Sequence, residues 1–343
     1  MSAGSGTVGA GSGTTARPRG TGPGRSVSPI TIVARAFVAE HLAGASAVGV
    51  ALADEVDDPV EFVAAARRGL ETLADPACHA GQQLIAPGIG PTLGVRTPLL
   101  DAVLGSLRRG VRSMPPARLL VAADALARDE VRELRWMAIR VLGWILPDDP
   151  ERTWQVLRRI AGAADDWITV DTLAAPCAVG ILGEPYRWSE LEQLAFSPNR
   201  WERRLVGSAI ATLPHEGHGL GRTDDVVRRG LELLGQLIGD AEPDVQKALS
   251  WALRELAKVD PEPVVAFCRA EADRAAETGD GHRAWVLRDA LAKLPPAEAD
   301  AIRITLAGVR RSPGAPSTSR AAAAAAAFTS VGLGRPAPGV PLR

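Results

Sequence analysis

Lysine is almost missing from this chain: Lys247, Lys258 and Lys293 stand against 36 arginines in 343 residues. That imbalance, like the high alanine content, fits the coding bias of a GC-rich genome and carries no functional information. Cysteine is equally scarce. Cys78, Cys177 and Cys268 lie far apart without CxxC spacing, which excludes a disulfide framework and predicts buried free thiols in a reducing compartment. Of the five histidines only His215 and His218 are close, in a Gly-rich loop with no Cys or carboxylate cluster beside them, so neither a metal nor a cofactor is expected. Alternating β-branched runs are absent, which argues against a sheet. No apolar run is read as approaching the roughly 20 residues that span a bilayer, and the first 28 residues lack the apolar stretch of a secretory signal. The expectation is a cytoplasmic monomer with no membrane association.

What is present is mostly helix. Between Ile30 and Val309 apolar residues recur at helical spacing almost everywhere. Helices are read at 31–43 and 58–74. A Pro/Gly-rich passage from Ala86 to Pro98 then leads into a helix Leu99–Arg109, with Thr97 able to cap it and Pro98 suited to its first turn. Further units open near Val131, Asp166, Arg200, Asp244 and His282, separated by about 35, 34, 44 and 38 residues, the range of two-helix repeats. The fold class predicted is all-α: a HEAT-like solenoid of helical hairpins with a concave groove. Residues 1–28 and 311–343 are rich in Gly, Pro, Ser and Ala with few apolar anchors, and read as disordered tails flanking one domain over 29–310. Residues 1–28 and 310–343 hold eight arginines and no acid, so the remainder carries 31 basic against 40 acidic side chains, a net charge of −9. That balance opposes a broad electrostatic grip on nucleic acid, while a local basic groove remains compatible with it.

Three segments stand out within the helices. Trp167 and Asp171 are one helical turn apart and share a face. Arg203 and Arg204 lie in Asn199-Arg200-Trp201-Glu202-Arg203-Arg204, and Trp251 has Lys247 and Arg254 about one turn to either side. An aromatic wall, one carboxylate and several cations suit a cationic, phosphate-bearing ligand. Arg96, just before a helix N-terminus, sits in a neighbourhood that favours phosphate. Each feature also has a plain structural reading. A tryptophan on a repeat helix, such as Trp136, Trp144, Trp154 or Trp285, is usually core filling, and Arg203-Arg204 fits a solvated face or an ion pair with Glu202 or Glu190.

At these residues the chain resembles the DNA alkylation repair family, the HEAT-like, AlkD-type DNA glycosylases. The resemblance runs in order through Leu93-Gly94-Val95-Arg96-Thr97-Pro98, Glu133-Leu134-Arg135, Trp167 to Asp171, Asn199 to Arg204, and Gln246-Lys247-Ala248 with Trp251 to Glu255, covering about residues 80 to 295. It implies a monofunctional glycosylase that excises cationic N3- or N7-alkylated purines from duplex DNA, in base excision repair or in self-resistance to an alkylating agent. It implies Asp171 as the catalytic carboxylate, Trp167 and Trp251 against the deoxyribose, and Arg204 on the backbone phosphate, with Arg203, Lys247, Arg254 and Arg96 as further DNA contacts. No lysine resembles a lyase nucleophile. The family's second Trp and second acid in the lesion segment are replaced here by Asp166 and Ile168, and its early aromatic by Ile85, which implies a more open sugar cradle. The alternative is a non-catalytic HEAT-like scaffold that binds protein or DNA, for which the charge of Asp171 has no use.

Overall fold

The structure, a computed structural model, describes residues 28–330. Most of the N-terminal tail expected over 1–28, and residues 331–343 of the C-terminal one, lie outside the described residues. The described residues form sixteen α-helices: α1 (Pro29–Asp54), α2 (Pro59–Glu71), α3 (Pro76–Ile85), α4 (Thr97–Gly110), α5 (Pro116–Ala127), α6 (Arg132–Ile145), α7 (Pro150–Gly162), α8 (Trp167–Gly183), α9 (Trp188–Ala195), α10 (Arg200–Thr212), α11 (Asp224–Leu237), α12 (Pro243–Leu256), α13 (Pro261–Thr278), α14 (Gly281–Ala290), α15 (Pro296–Thr305) and α16 (Arg320–Ser330). Among the described residues no strand forms, and Ala74 and Val95 make an isolated bridge.

The helix starts follow from local chemistry. Proline occupies the first turn of α2, α3, α4, α5, α7, α12, α13 and α15, where its fixed φ fits and its missing N–H is no loss. Asp58, Asp75, Asp166, Asn199, Thr223, Asp260 and Asp280 accept backbone N–H groups of the helices they precede, satisfying donors that no helix can satisfy internally. The repeat units expected near 131, 166, 200, 244 and 282 begin at Arg132, Trp167, Arg200, Pro243 and Gly281. Thr97 is exposed and makes no cap; the chain enters α4 through Arg96.

The described residues fall into two units, one ending at Glu40 and the other beginning at His41. The first contains Ser28 and the opening turns of α1, where Ser28 accepts the Thr31 N–H at 3.3 Å. In the second, α6, α8, α10, α12 and α14 each pack on the next, while α5, α7, α9, α11 and α13 each pack on the helix that follows. Leu134, Met137, Leu173, Val206, Ala209, Val245, Leu249 and Leu287 are fully enclosed between them, the burial that stabilises such a stack. α10 packs tightly on α12: a Cβ at Gly207 would meet the Ala248 carbonyl carbon at 2.8 Å, so any larger residue there would force the two helices apart.

Three expectations need correction. The helix expected over 31–43 runs from Pro29 to Asp54, and it is long and apolar enough, by length and composition, to cross a membrane. Residues 76–85, assigned to no helix from the sequence, form α3 because Asp75 caps it and Pro76 opens it. The boundary at 310 falls too early, since residues 311–319 run over the starts of α12 and α14. Arg311 donates to Gln246 at 3.0 Å, Ala315 O accepts from His282 Nε2 at 3.0 Å, Thr318 N–H donates to Gly239 O at 2.9 Å, and the Thr318 hydroxyl donates to Asp280. Ser319 is buried and caps α16.

Candidate functional site

The site is built where the second turns of α8 and α10 face each other. Asp166, itself buried, accepts the Thr169 N–H at 2.8 Å and the Thr169 hydroxyl at 2.6 Å, while Trp136 Nε1 donates to that hydroxyl at 3.1 Å. This network fixes the first turn of α8, so Trp167 and Asp171 leave the helix on one face. Asn199 caps α10 through the Trp201 N–H at 3.0 Å, which sets the direction of Arg204 one turn on.

Arg204 and Asp171 form a two-point ion pair. Nε donates to Oδ1 at 3.1 Å and an Nη to Oδ2 at 2.7 Å, the fork geometry that suits guanidinium and carboxylate. The Ser208 hydroxyl adds a third bond to Oδ1 at 2.7 Å. The remaining Nη of Arg204 donates to the Asp244 carbonyl of α12 at 2.7 Å. The guanidinium carbon lies 5.9 Å from the Trp167 ring centroid, within cation–π range. The pair is asymmetric in exposure: the Asp171 side chain is 23 % accessible and that of Arg204 only 7 %. Solvent, or a ligand arriving from it, therefore meets the carboxylate and the indole before the buried cation.

Three of the four residues assigned to catalysis by resemblance, Trp167, Asp171 and Arg204, are thus in direct contact. Trp251 is half-buried on α12, three residues beyond the Ala248 that meets Gly207. Lys247, on the same helix, is exposed, and its ammonium makes no ion pair or hydrogen bond among the described residues.

The other three cations are engaged within the fold. Arg203 grips Asp240 from Nε at 2.7 Å and the Ser197 and Pro198 carbonyls at 2.9 and 3.1 Å, tying the start of α10 to the loop before α12. Arg254 pairs with Asp289 of α14 and donates to its carbonyl at 3.1 Å. Arg96 pairs with the α3 cap Asp75 at 2.5 Å. Glu202 and Glu190, weighed as partners for Arg203 and Arg204, lie instead beside Arg158 at 4.0 and 3.3 Å.

The remaining motif residues hold the framework. Glu133, wholly buried, accepts the N–H groups of Leu93, Gly94 and Val95 at 3.1, 2.9 and 3.2 Å, so the Leu-Gly-Val-Arg loop and the Glu-x-Arg helix form one unit. Gln246, also buried, donates to the Asp240 carbonyl at 2.6 Å and lies 3.1 Å from His282 Nδ1. Trp136 and Trp154 are buried, as expected of core indoles, whereas Trp144 and Trp285 are half-buried with Arg108 and Arg311 over their rings. His215 bonds Glu255 at 2.8 Å. Ser208 went unnoticed in the sequence, although it stands four residues after Arg204 and so on the same face.

These features define an all-α protein of paired helices that holds one half-exposed carboxylate between a guanidinium and a hydroxyl, beside an indole. The family model described as DNA alkylation repair enzyme matches residues 66–294, a span that includes every candidate residue above. The chain belongs to that family, and its role lies in DNA alkylation repair. A comparison with curated proteins finds no match.

Proposed function

We propose that this protein is a monofunctional DNA glycosylase that releases cationic N3- or N7-alkylated purines from duplex DNA, with α6 to α14 stacked as HEAT-like repeats around the duplex. The observation that carries the reading is the Asp171 carboxylate. It is partly exposed, oriented by three hydrogen bonds, and flanked by Trp167. An alkylated purine is already positively charged and departs as a neutral base, so the barrier lies in the cation that develops on the sugar. A fixed carboxylate near C1′ stabilises that charge, and the indole faces of Trp167 and Trp251 add cation–π attraction. Asp171 also accepts a hydrogen bond from the attacking water as it closes on C1′.

In this scheme Arg204 changes partner. Without DNA it neutralises Asp171; with DNA it turns to a backbone phosphate, and the carboxylate regains its charge where the sugar needs it. Lys247, exposed and unpaired, supplies a second phosphate contact. The test is incubation of the protein with methylated duplex DNA. Release of 7-methylguanine or 3-methyladenine, leaving an abasic site and no strand break, is expected.

A second reading, a helical scaffold without chemistry, is favoured by the same ion pair, because a carboxylate already neutralised by a buried guanidinium is a common structural feature. Binding of duplex DNA without release of any cationic adduct would establish it over the first.

A further inference from the structure

We infer that the groove between α11 and α13 binds an organic cation with an apolar body. It shares no residue with the Asp171–Arg204 site and stands independently of the glycosylase reading. The groove encloses about 910 Å³, at the upper end of the roughly 300–1,000 Å³ that small-molecule sites occupy.

Its floor is apolar and open. Leu231 and Gly235 of α11 face Phe267 of α13 across it. Phe267 is only half-buried, although its neighbour Cys268 is fully enclosed. A Cβ built on Gly235 would touch only Phe267 Cε2, at 3.6 Å. The missing side chain at 235 therefore leaves depth beneath the ring that nothing fills.

The rim is acidic. Six carboxylates and two guanidiniums line the groove, a formal charge of −4. Arg228 is held between Asp225 at 2.6 Å and Glu232 at 2.7 Å, and Glu271 is paired with Arg283 and Arg274. Asp224, Asp260 and Glu262 at the mouth make no ion pair among the described residues. Acids in the first turns of α11 and α13 are accounted for by the helix dipole. That preference does not account for an aromatic ring left uncovered directly below them. Carboxylates at the mouth and a phenyl face at depth together select a ligand that is positively charged and apolar, the combination cation–π contacts reward. The same charge repels a polyanion, so this face is not a nucleic-acid surface.

The experiment titrates the full chain calorimetrically with tetraphenylphosphonium and with tetraphenylborate, which have nearly the same shape and opposite charge. Saturable binding of the phosphonium and none of the borate is expected. Gly235→Leu, which fills the floor, should abolish that binding. The double variant Asp224→Asn, Glu262→Gln changes only exposed residues, so the fold survives; it should weaken binding roughly fivefold, the weight of exposed charge pairs, and flatten its salt dependence. Failure of the phosphonium to bind, equal binding of both ions, or binding unaffected by the double variant would overturn the inference. So would capture of a basic amphipathic peptide by a protein that ignores the phosphonium, or a dimer in sedimentation that dissociates on Gly235→Leu, since either assigns the groove to a macromolecule.

Discussion

Replacing Asp171 by asparagine separates the charge of the site from its shape. The amide keeps one oxygen, able to accept from Arg204 Nε and Ser208, but places an NH2 group against the Arg204 Nη that now donates at 2.7 Å. Two donors then face each other, and a guanidinium with 7 % of its side chain exposed loses its counter-charge. Removing one partner of a buried pair costs about 3–5 kcal/mol. Here the Asp244 carbonyl still accepts from Arg204 and Asp171 is partly solvated, so the loss should be lower, about 1–3 kcal/mol, near that of a buried charged group losing a hydrogen bond. A lower melting temperature with a cooperative transition is the expected signature.

The kinetic effect should be larger than the structural one. Losing one preorganised electrostatic contact to a developing charge lowers rate by about 10²–10³. DNA affinity should move the other way. Arg204 no longer has to give up Asp171 to reach its phosphate, so binding should tighten, while the salt dependence should stay the same because both complexes neutralise the same phosphates. The assay is single-turnover base release from one methylated duplex by wild type and variant side by side, with binding measured on the same DNA at several salt concentrations. Equal release rates would remove Asp171 from the chemistry, and a slope steeper by about one in the variant would show that Arg204 does not exchange partners in wild type.

Further outcomes follow from residues around the site. Lys247→Ala should weaken duplex binding about equally for all sequences and reduce the salt slope by about one. Arg203→Ala should leave that slope unchanged and instead lower thermal stability by about 2–4 kcal/mol, because Asp240 loses its buried partner; a slope change on Arg203→Ala would contradict its assignment to the fold. Removing residues 311–343 should lower the melting temperature, since the bonds to Gln246, Gly239, Asp280 and His282 go with them; an unchanged transition would show that these bonds contribute nothing net. Burial pushes the Cys177 and Cys268 thiols up to about 12, so in native protein at pH 8 only half-buried Cys78 should react with a thiol reagent. Because those folded values lie above the ordinary 9.0, the two thiols favour the folded state below pH 9, and that contribution is lost as pH rises from about 9 to 12. Rapid titration of all three thiols in native protein would refute their burial.

How much of this was legible in the sequence depends on whether the signal was local. The starts of α6, α8, α10, α12 and α14 were readable because proline, Asp and Asn mark helix entries within three or four residues of chain. The length of α1 was not, since the helix continues to Asp54 through Gly44 and Gly49, residues that disfavour a helix interior. The segment 311–319 was misread for a different reason. It has no apolar stripe to register in a periodicity, and its order comes from hydrogen bonds to Gly239, Asp280 and His282, some 33 to 79 residues away. Arg203 shows the same limit: only the fold reveals that Asp240, 37 residues on, holds it. Trp167 and Asp171, by contrast, were visible as a pair one turn apart on one helix.

The arrangement of that pair explains why Asp171 and Arg204 can belong together without cancelling each other's use. A carboxylate left unpaired on an acidic protein would repel a phosphate backbone as it approached. Held by Arg204 and Ser208, Asp171 presents no net charge to incoming DNA, yet its oxygens are already aimed. A phosphate that draws Arg204 away exposes the negative charge only after the duplex is seated. In the proposed scheme the Ser208 bond to Oδ1 preserves the carboxylate's orientation when its larger partner leaves. On the proposed reading this makes DNA binding the event that switches on the electrostatic stabilisation. It also makes Ser208 a positioning residue, whose loss should slow base release while leaving DNA affinity unchanged. Were Arg204 bound to Asp171 with and without DNA, the carboxylate would stay neutralised and the proposed chemistry would have no source of stabilisation.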